Sequence, residues 1–272
     1  MERLPKISVI IPTYNMGKTL RKCLDSLRNQ TFRDYEVIIV DDGSEDDTKK
    51  YLVKDRRFRY VRQENQGPAA ARNNGIFKAR GKIIAFTDAD CVVDKDWLKF
   101  VDLSFRNKDV NCVKGRTEVA NRECKFANEL REHIYKFSWY ASNNIAYSKA
   151  VLDKLNNFDE SFPIAASEDG DLGWRFKLAR YKRIYCPEMI VFHIIEKNMD
   201  EYKRNSYKYG IGMNYFVKKY LRTNPLLAIG QVVYQIPPLL YFPFFGRRGY
   251  LKMIQSFYTL KGFFNKTFLN KV

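Results

Sequence analysis

The sequence predicts an α/β fold built on a doubly wound, mostly parallel sheet flanked by helices. Three observations carry that expectation. Short apolar runs alternate with helical spacings from Ile7 to Thr87. Two of these runs, Val37-Ile38-Ile39-Val40 and Ile83-Ile84-Ala85-Phe86, are apolar at successive positions, as strands covered on both faces are. Several runs end abruptly in carboxylates, and the carboxyl ends of strands are where such folds gather ligands.

Taken in order, Ile7-Ser8-Val9-Ile10-Ile11 reads as a strand closed by Pro12, and Leu20, Cys23, Leu24 and Leu27 recur at helical spacing. Glu36 to Val40 is a second buried strand. Ser44 with Asp47 three residues on resembles a helix-start box before Thr48 to Val53. Arg59-Tyr60-Val61 is a short edge-like strand, Ala69 to Ala79 an Ala-rich helix, and Lys82 to Thr87 a further strand. This β-α-β-α-β-α-β order implies right-handed crossovers.

Beyond Asp96 the alternation loosens. Val110 to Glu118 reads as strand, Lys125 to Phe137 as helix, and Asn143 to Tyr147 as strand before a Ser148 to Leu155 helix. Glu168 to Arg180 is an amphipathic helix carrying Leu172, Phe176 and Leu178, and Ile190 to Ile194 is a late strand. The expected organisation is a domain over residues 1–222 in two halves, 1–96 and 97–222. A basic, apolar C-terminal tail follows at 223–272.

That tail holds the charge. From Tyr202 to Val272 there is no Asp or Glu, while twelve Lys and Arg supply most of the formal net charge of +17. An acid-free basic stretch joined to a nearly balanced body suits a polyanionic surface. Leu226 to Phe245 is twenty residues without a charge, long enough to cross a bilayer core. Pro237, Pro238 and Pro243 break helical hydrogen bonding within it, which favours an interfacial or re-entrant segment at an anionic membrane over a spanning one.

Composition excludes other classes. With 45% hydrophobic and 29% charged residues in 272, the chain is globular rather than disordered. Five cysteines without metal-type pairing suit a reducing compartment, where thiols serve as small hydrophobes. The first residues show no signal-peptide pattern, so the catalytic part is expected in the cytoplasm, peripheral or monotopic at the inner face of the cell membrane.

Four clusters carry chemistry. In Asp41-Asp42-Gly43-Ser44, a carboxylate at a strand end can accept hydrogen bonds from a nucleobase or ribose, or can cap a helix. Asn65 to Asn73 opens a helix with Pro68 near its first position, and Arg72 one turn in can face a diphosphate or base. Asp88-Ala89-Asp90 is either a solvated turn or a set of hard oxygen ligands for Mg2+ or Mn2+. An aspartyl phosphatase reading wants Thr two positions after the second Asp, where this chain has Val92. Ser167 to Arg175 opens a helix with three carboxylates; Asp171 and Arg175 are spaced for an i,i+4 pair, which leaves Glu168 and Asp169 as candidate catalytic bases. His193, one of two histidines, ends the late strand as a structural residue or a metal ligand.

Together these stretches resemble the family-two glycosyltransferases of GT-A fold. The resemblance rests on Ile7 to Asn15, Val40 to Ser44, Gly67 to Asn73, Asp88-Ala89-Asp90, Glu168-Asp169 with Leu172 and Arg175, and His193, and it spans about residues 6–215. Asn156-Asn157-Phe158-Asp159-Glu160 resembles the family's Gly-Gly-Phe-Asp-Glu loop, with Asn at both glycine positions. The resemblance implies metal-dependent, inverting transfer of a sugar from a nucleotide-sugar donor to a hydroxyl of a glycan or polyprenyl-linked acceptor. Pro12, Tyr14, Asp42 and Arg72 would hold the nucleotide, with Asp88 near ribose and metal. Asp90 would ligate a divalent Mn or Mg ion with His193 close by, and Asp169 would be the general base beside Glu168.

Two rivals fit less of the chain. A sugar nucleotidyltransferase would show a Gly-rich, basic loop after the first strand, where Thr13-Tyr14-Asn15-Met16-Gly17 stands. A non-catalytic basic module for membrane or nucleic acid explains the tail but none of the carboxylates, so no nucleic-acid partner is expected.

Overall fold

A computed structural model of the chain describes residues 4–52, 54–121, 140–195, 198–226, 228, 230 and 246–264. The chain divides into two compact units. One comprises Met1–Ala120, Ser138–Glu160 and Leu172–Ile194; the other comprises Asn121–Phe137, Ser161–Asp171 and Ile195–Val272.

The first unit is organised by an eight-stranded sheet. Its strands are β1 (Ile7–Thr13), β2 (Tyr35–Asp41), β3 (Phe58–Arg62), β4 (Ile83–Phe86), β5 (Cys91–Val93), β6 (Val110–Val119), β7 (Ile145–Ser148) and β8 (Lys182–His193). Their spatial order is β3-β2-β1-β4-β7-β6-β8-β5. The first four run parallel, as the alternating pattern predicts. Past β4 the sheet becomes mixed: β7 is antiparallel to β4 and β6, β8 is parallel to β6, and β5 is antiparallel to β8.

Helices cover this sheet. In α1 (Gly17–Arg28) the four periodic residues Leu20, Cys23, Leu24 and Leu27 are fully buried. They join Val9, Ile11, Val37 and Ile39 in one core cluster. In α2 (Pro68–Lys78) Ala69, Ala70 and Ala71 are buried, and short side chains of this kind let a helix lie close on a sheet. Among the described residues this unit also holds α3 (Trp97–Ser104) and α4 (Lys149–Lys154).

The helix α5 (Glu168–Leu178) begins in the second unit and ends in the first. Leu172 and Phe176 are buried as expected, but Leu178 is 55% exposed, because two residues past Phe176 a helix has turned about 200° and presents the opposite face. Asp171 and Arg175, spaced for an i,i+4 pair, each have partners beyond their own helix. Arg175 donates to the carbonyls of Leu155 and Asn157, while Asp171 accepts from Lys219 Nζ at 2.6 Å and Tyr220 Oη at 2.8 Å. Asp171 is fully buried, and the cation and hydroxyl held against it offset the cost of burying its charge.

Two other expectations changed. The helix foreseen at Thr48 to Val53 is a single 3-10 turn, Thr48–Tyr51. Ser44 does not cap it: its Oγ accepts from Asn15 N, and Asp46 accepts from Thr48 N. The late strand foreseen at Ile190 begins at Lys182 instead, in an exposed half without an apolar run. The helix expected at Lys125 to Phe137 lies outside the described residues.

In the second unit, α6 (Met199–Tyr220) is capped by Asn198, whose side chain accepts from Glu201 N. Against it packs α7 (Gly246–Phe263), which lies within the stretch read from sequence as a tail. The crossing depends on two glycines. A Cβ on Gly210 would sit 1.8 Å from the Thr259 carbonyl oxygen, and one on Gly262 would sit 2.0 Å from that of Tyr207. Backbone meets backbone there, and Asn214 Nδ2 adds a hydrogen bond to Phe263 O at 2.8 Å. Among the described residues no helix is long and apolar enough to cross a membrane, and most of Leu226 to Phe245 lies outside them.

Candidate active site

The ends of β1, β2 and β4 carry the expected donor-side residues. Pro12 lies within β1, opposite Val40. Tyr14, one residue past that strand, is 46% exposed. The next residue, Asn15, adopts φ 53° and accepts from the backbone N–H of Glu45 and Asp46, stitching the two loops together.

Adjacent acids at the end of β2 have separate duties. Asp41 accepts from Ser44 N at 2.8 Å and from Tyr60 Oη, which fixes the turn that follows. Asp42 is buried and accepts from Gln63 Nε2, Gln66 N and Gly67 N at 2.8–2.9 Å. Its carboxylate therefore shapes the loop that leads into α2. At φ 90°, a conformation favoured by glycine, Gly67 then turns the chain into Pro68 at the helix start.

One turn into α2, Arg72 is buried and donates to Asp88 Oδ1 at 3.1 Å. Its guanidinium lies 5.5 Å from the centroid of the Phe158 ring. Phe158 in turn packs edge-on against Phe86. Asn73 holds the same loop: it donates to Phe158 O at 2.9 Å, accepts from Phe158 N at 3.0 Å and donates to Glu160 at 2.6 Å. Asn156 and Asn157, at φ 57° and 55°, occupy the left-handed region that their short polar side chains tolerate. Asn at the family's two glycine positions thus still makes a left-handed turn.

Asp90 lies between β4 and β5, and His193 ends β8. His193 Nε2 is 3.2 Å from Asp90 Oδ2. The backbone reinforces this closeness, since Ile194 N donates to Asp90 O at 3.0 Å and Cys91 pairs with His193 in the β5–β8 ladder. Both side chains are 22% exposed, so solvent reaches the pair.

Electrostatics make the two acids unlike. At Asp90 burial opposes ionisation, but the His193 imidazole and its hydrogen bond outweigh that and hold the carboxyl below its ordinary range. At Asp88 burial raises the carboxyl; Arg72 pulls it down, the charge of Asp90 pushes it back up, and the balance stays above the ordinary value. The Cys91 thiol is pushed well up by burial, with Asp90 and Asp88 adding to the shift.

Ligand atoms of Asp90, Cys91 and His193 lie within 4.8 Å of one another. A carboxylate, an imidazole and a thiol so grouped fit a divalent cation. Asp88, tied to Arg72, borders this group.

Glu168 and Asp169 stand in the second unit, in the first turn of α5. Glu168 is buried, Asp169 is partly open, and Asp169 Oδ1 accepts from Gly170 N at 2.7 Å. Ser167 precedes them at φ 75°, a strained conformation for a residue with a Cβ. The structure thus brings Arg72, Asp88, Asp90 and His193 together in the first unit and sets the two candidate bases in the second. Sequence reasoning passed over Asn15, Asn73 and Cys91. The two asparagines lay inside quoted motifs, while Cys91 was masked by its reading as a small hydrophobe.

Known proteins resemble this chain in sequence and in fold. The family described as Glycosyl transferase family 2 matches residues 8–166. Glycosyltransferase AglE of Haloferax volcanii is 32% identical over 208 residues, covering 70% of this chain and 67% of that protein. Two other relatives, the putative glycosyltransferase EpsH of Bacillus subtilis and glycosyltransferase GlyA of Streptococcus pneumoniae, match over about a third of this chain and over 28% and 14% of their own length. Among solved structures, the mannosyltransferase PcManGT from Pyrobaculum calidifontis, in complex with GDP-Man and Mn2+, aligns with a TM-score of 0.67 at 18% identity, over 97% of this chain and 89% of that one. TarS 1-349 from S. aureus, in complex with UDP-GlcNAc, aligns with a TM-score of 0.60 at 20% identity, over 80% of this chain and 67% of that one. The matched stretch runs from β1 through Asp88 and Asp90 to the loop before Glu168, and the chain belongs to glycosyl transferase family 2.

Proposed function

We propose that this glycosyltransferase moves a sugar, with inversion, from a nucleoside-diphosphate sugar to a hydroxyl of a glycan or lipid-linked acceptor, using a divalent cation at Asp90 and His193. The observation that carries the reading is the Asp90–His193 pair at 3.2 Å beside the Arg72–Asp88 pair. Nucleotide sugars in PcManGT and TarS, and Mn2+ in PcManGT, support a donor and an ion of the same kinds here.

In this reading Pro12 and Tyr14 line the nucleotide, and Asp42 holds the loop that carries Arg72 while facing the base. The guanidinium of Arg72 fixes Asp88 toward ribose. Asp90 and His193 hold the cation, which would neutralise charge on the departing diphosphate. On the acceptor side, Asp169 takes the hydroxyl proton, and Glu168 lines the same subsite. The proton and the leaving charge are handled by different groups, as single-displacement inversion requires.

The acid-free stretch from Tyr202 onward favours work at an anionic membrane, with residues 223–272 as the associating segment and the cytoplasmic face as its place. Flotation with vesicles tests this part: binding to anionic vesicles that falls with salt is expected, and equal binding to zwitterionic vesicles overturns it.

The chemistry is tested by incubating the protein with a panel of nucleotide sugars and measuring nucleoside-diphosphate release, with and without Mn2+ or Mg2+. Release from one donor, lost on chelation and restored by added ion, is expected. Release unaffected by chelation would remove the ion from the reading, and no release from any sugar nucleotide in the presence of acceptor would remove the reaction.

A further inference from the structure

The ladder that seats His193 also seats a thiol. Cys91 and His193 are direct partners in the antiparallel β5–β8 pair, and directly opposed residues in such a pair project to the same face. The Cys91 Sγ lies 3.6 Å from Asp90 Oδ1, while Asp90 Oδ2 lies 3.2 Å from His193 Nε2. Asp90 thus stands between a sulfur and a nitrogen, and all three ligand atoms fall within 4.8 Å of one another.

We propose that Cys91 is a third donor of this centre, so that the centre binds a thiophilic divalent cation of the Zn2+, Co2+ or Cd2+ class more tightly than Mg2+ or Mn2+. The inference rests on the reading that Asp90 and His193 hold a cation, and adds the donor that sets which one. Sulfur and imidazole favour Zn2+-like ions, whereas Mg2+ and Mn2+ prefer oxygen.

On binding, the Cys91 S–H bond is exchanged for an S–metal bond and the proton passes to solvent; no atom changes oxidation state. A thiol fully buried in the same core cluster as Cys23 and Leu20 would otherwise be a simple core filler. Its placement across the ladder from the imidazole, within reach of a carboxylate that solvent can enter, is what distinguishes it from Cys23.

The test titrates the full-length, metal-stripped protein with Cd2+ and follows the thiolate-to-metal charge-transfer absorption in the near ultraviolet. Bound Mn2+ is monitored in parallel by electron paramagnetic resonance. A saturating band at one ion per chain and displacement of Mn2+ by Cd2+ are expected. Cys91→Ser should abolish the band and weaken Cd2+ binding by about tenfold or more while leaving Mn2+ binding within about threefold. Cys23→Ser should keep the band.

A band absent from the wild-type protein, or persisting in Cys91→Ser, overturns the proposal. If Mn2+ binds with no Cd2+ band, Cys91 is excluded while the Asp90–His193 centre stands. If Asp90→Asn leaves the binding of both ions unchanged, the centre itself falls, and the Cys91 inference with it. The wild-type band requires no variant to fold, and circular dichroism of Cys91→Ser and Cys91→Ala checks that lost absorption is not lost structure.

Discussion

Asn73 grips Phe158 by both of its backbone polar atoms, donating to the carbonyl at 2.9 Å and accepting from the N–H at 3.0 Å. The side chain of one helix residue thereby completes a loop that has no ladder partner of its own. Because the Phe158 ring lies beside the Arg72 guanidinium, the grip also fixes the surroundings of the arginine that holds Asp88. Asn73→Ala is expected to lower stability by about 1–3 kcal/mol, read as a shift in the urea midpoint with unchanged slope. Asn73→Asp should be no better, since it loses the donor to Phe158 O and meets the Glu160 carboxylate.

Removing Arg72 leaves Asp88 without its guanidinium. Arg72→Ala is expected to cost about 2–4 kcal/mol in thermal or chemical unfolding. Arg72→Lys keeps the charge without the fork that reaches Asp88 beside the Phe158 ring. It should recover part of the stability yet bind a nucleoside diphosphate more weakly than wild type by calorimetry.

Asp169→Asn is expected to lower turnover by about a hundredfold or more while nucleoside-diphosphate affinity stays within about twofold. An Asp169→Asn enzyme with wild-type turnover would remove this residue from the role of base.

The buried carboxylate of Asp171 ties the start of α5 to the end of α6 through Lys219 and Tyr220. Asp171→Ala is expected to destabilise by about 3 kcal/mol, because a cation and a hydroxyl lose a shared acceptor. In a double-mutant cycle, Asp171→Asn with Lys219→Met should cost clearly less than the sum of the single changes.

Acid should act through Glu36. Burial works against its charge, but hydrogen bonds from Arg80 N, Ser8 Oγ and Arg59, with the Arg80 charge, hold the carboxyl below its ordinary value. With the folded pKa below the unfolded one, its contribution is complete above the ordinary glutamate range and is lost as pH falls through the folded value. Glu36→Gln should therefore be less stable at pH 7 by about 1–3 kcal/mol, and the gap should close as pH falls. Urea unfolding at a series of pH values measures this; a gap that widened in acid would reverse the assignment.

What the sequence disclosed follows from burial. The strands β1, β2 and β4 are covered on both faces and so appear as unbroken apolar runs, and α1 shows its buried face as a clean period. The first half of β8 has exposed residues and no apolar run, and β5 is three residues long, so neither announced itself. The turn after β2 misled because Ser44 is taken up by Asn15 N across the loop, while the Thr48 N–H goes to Asp46. The acids of the candidate site were visible because carboxylates at strand ends are conspicuous. The partners of Asp171 were not, since Lys219 and Tyr220 lie 48 and 49 residues further along the chain, and nothing local points to them.

The pairing of β5 with β8 has a consequence for the order in which the protein takes shape. Asp90 leaves the chain early and His193 late, about a hundred residues apart, so their meeting closes one of the longer loops in the fold. A nascent chain that has produced both aspartates still lacks His193, the residue that lies 3.2 Å from Asp90 in the complete fold. Closure of the β5–β8 ladder is what sets His193 beside Asp90, so formation of that pair and completion of this edge of the sheet are one event.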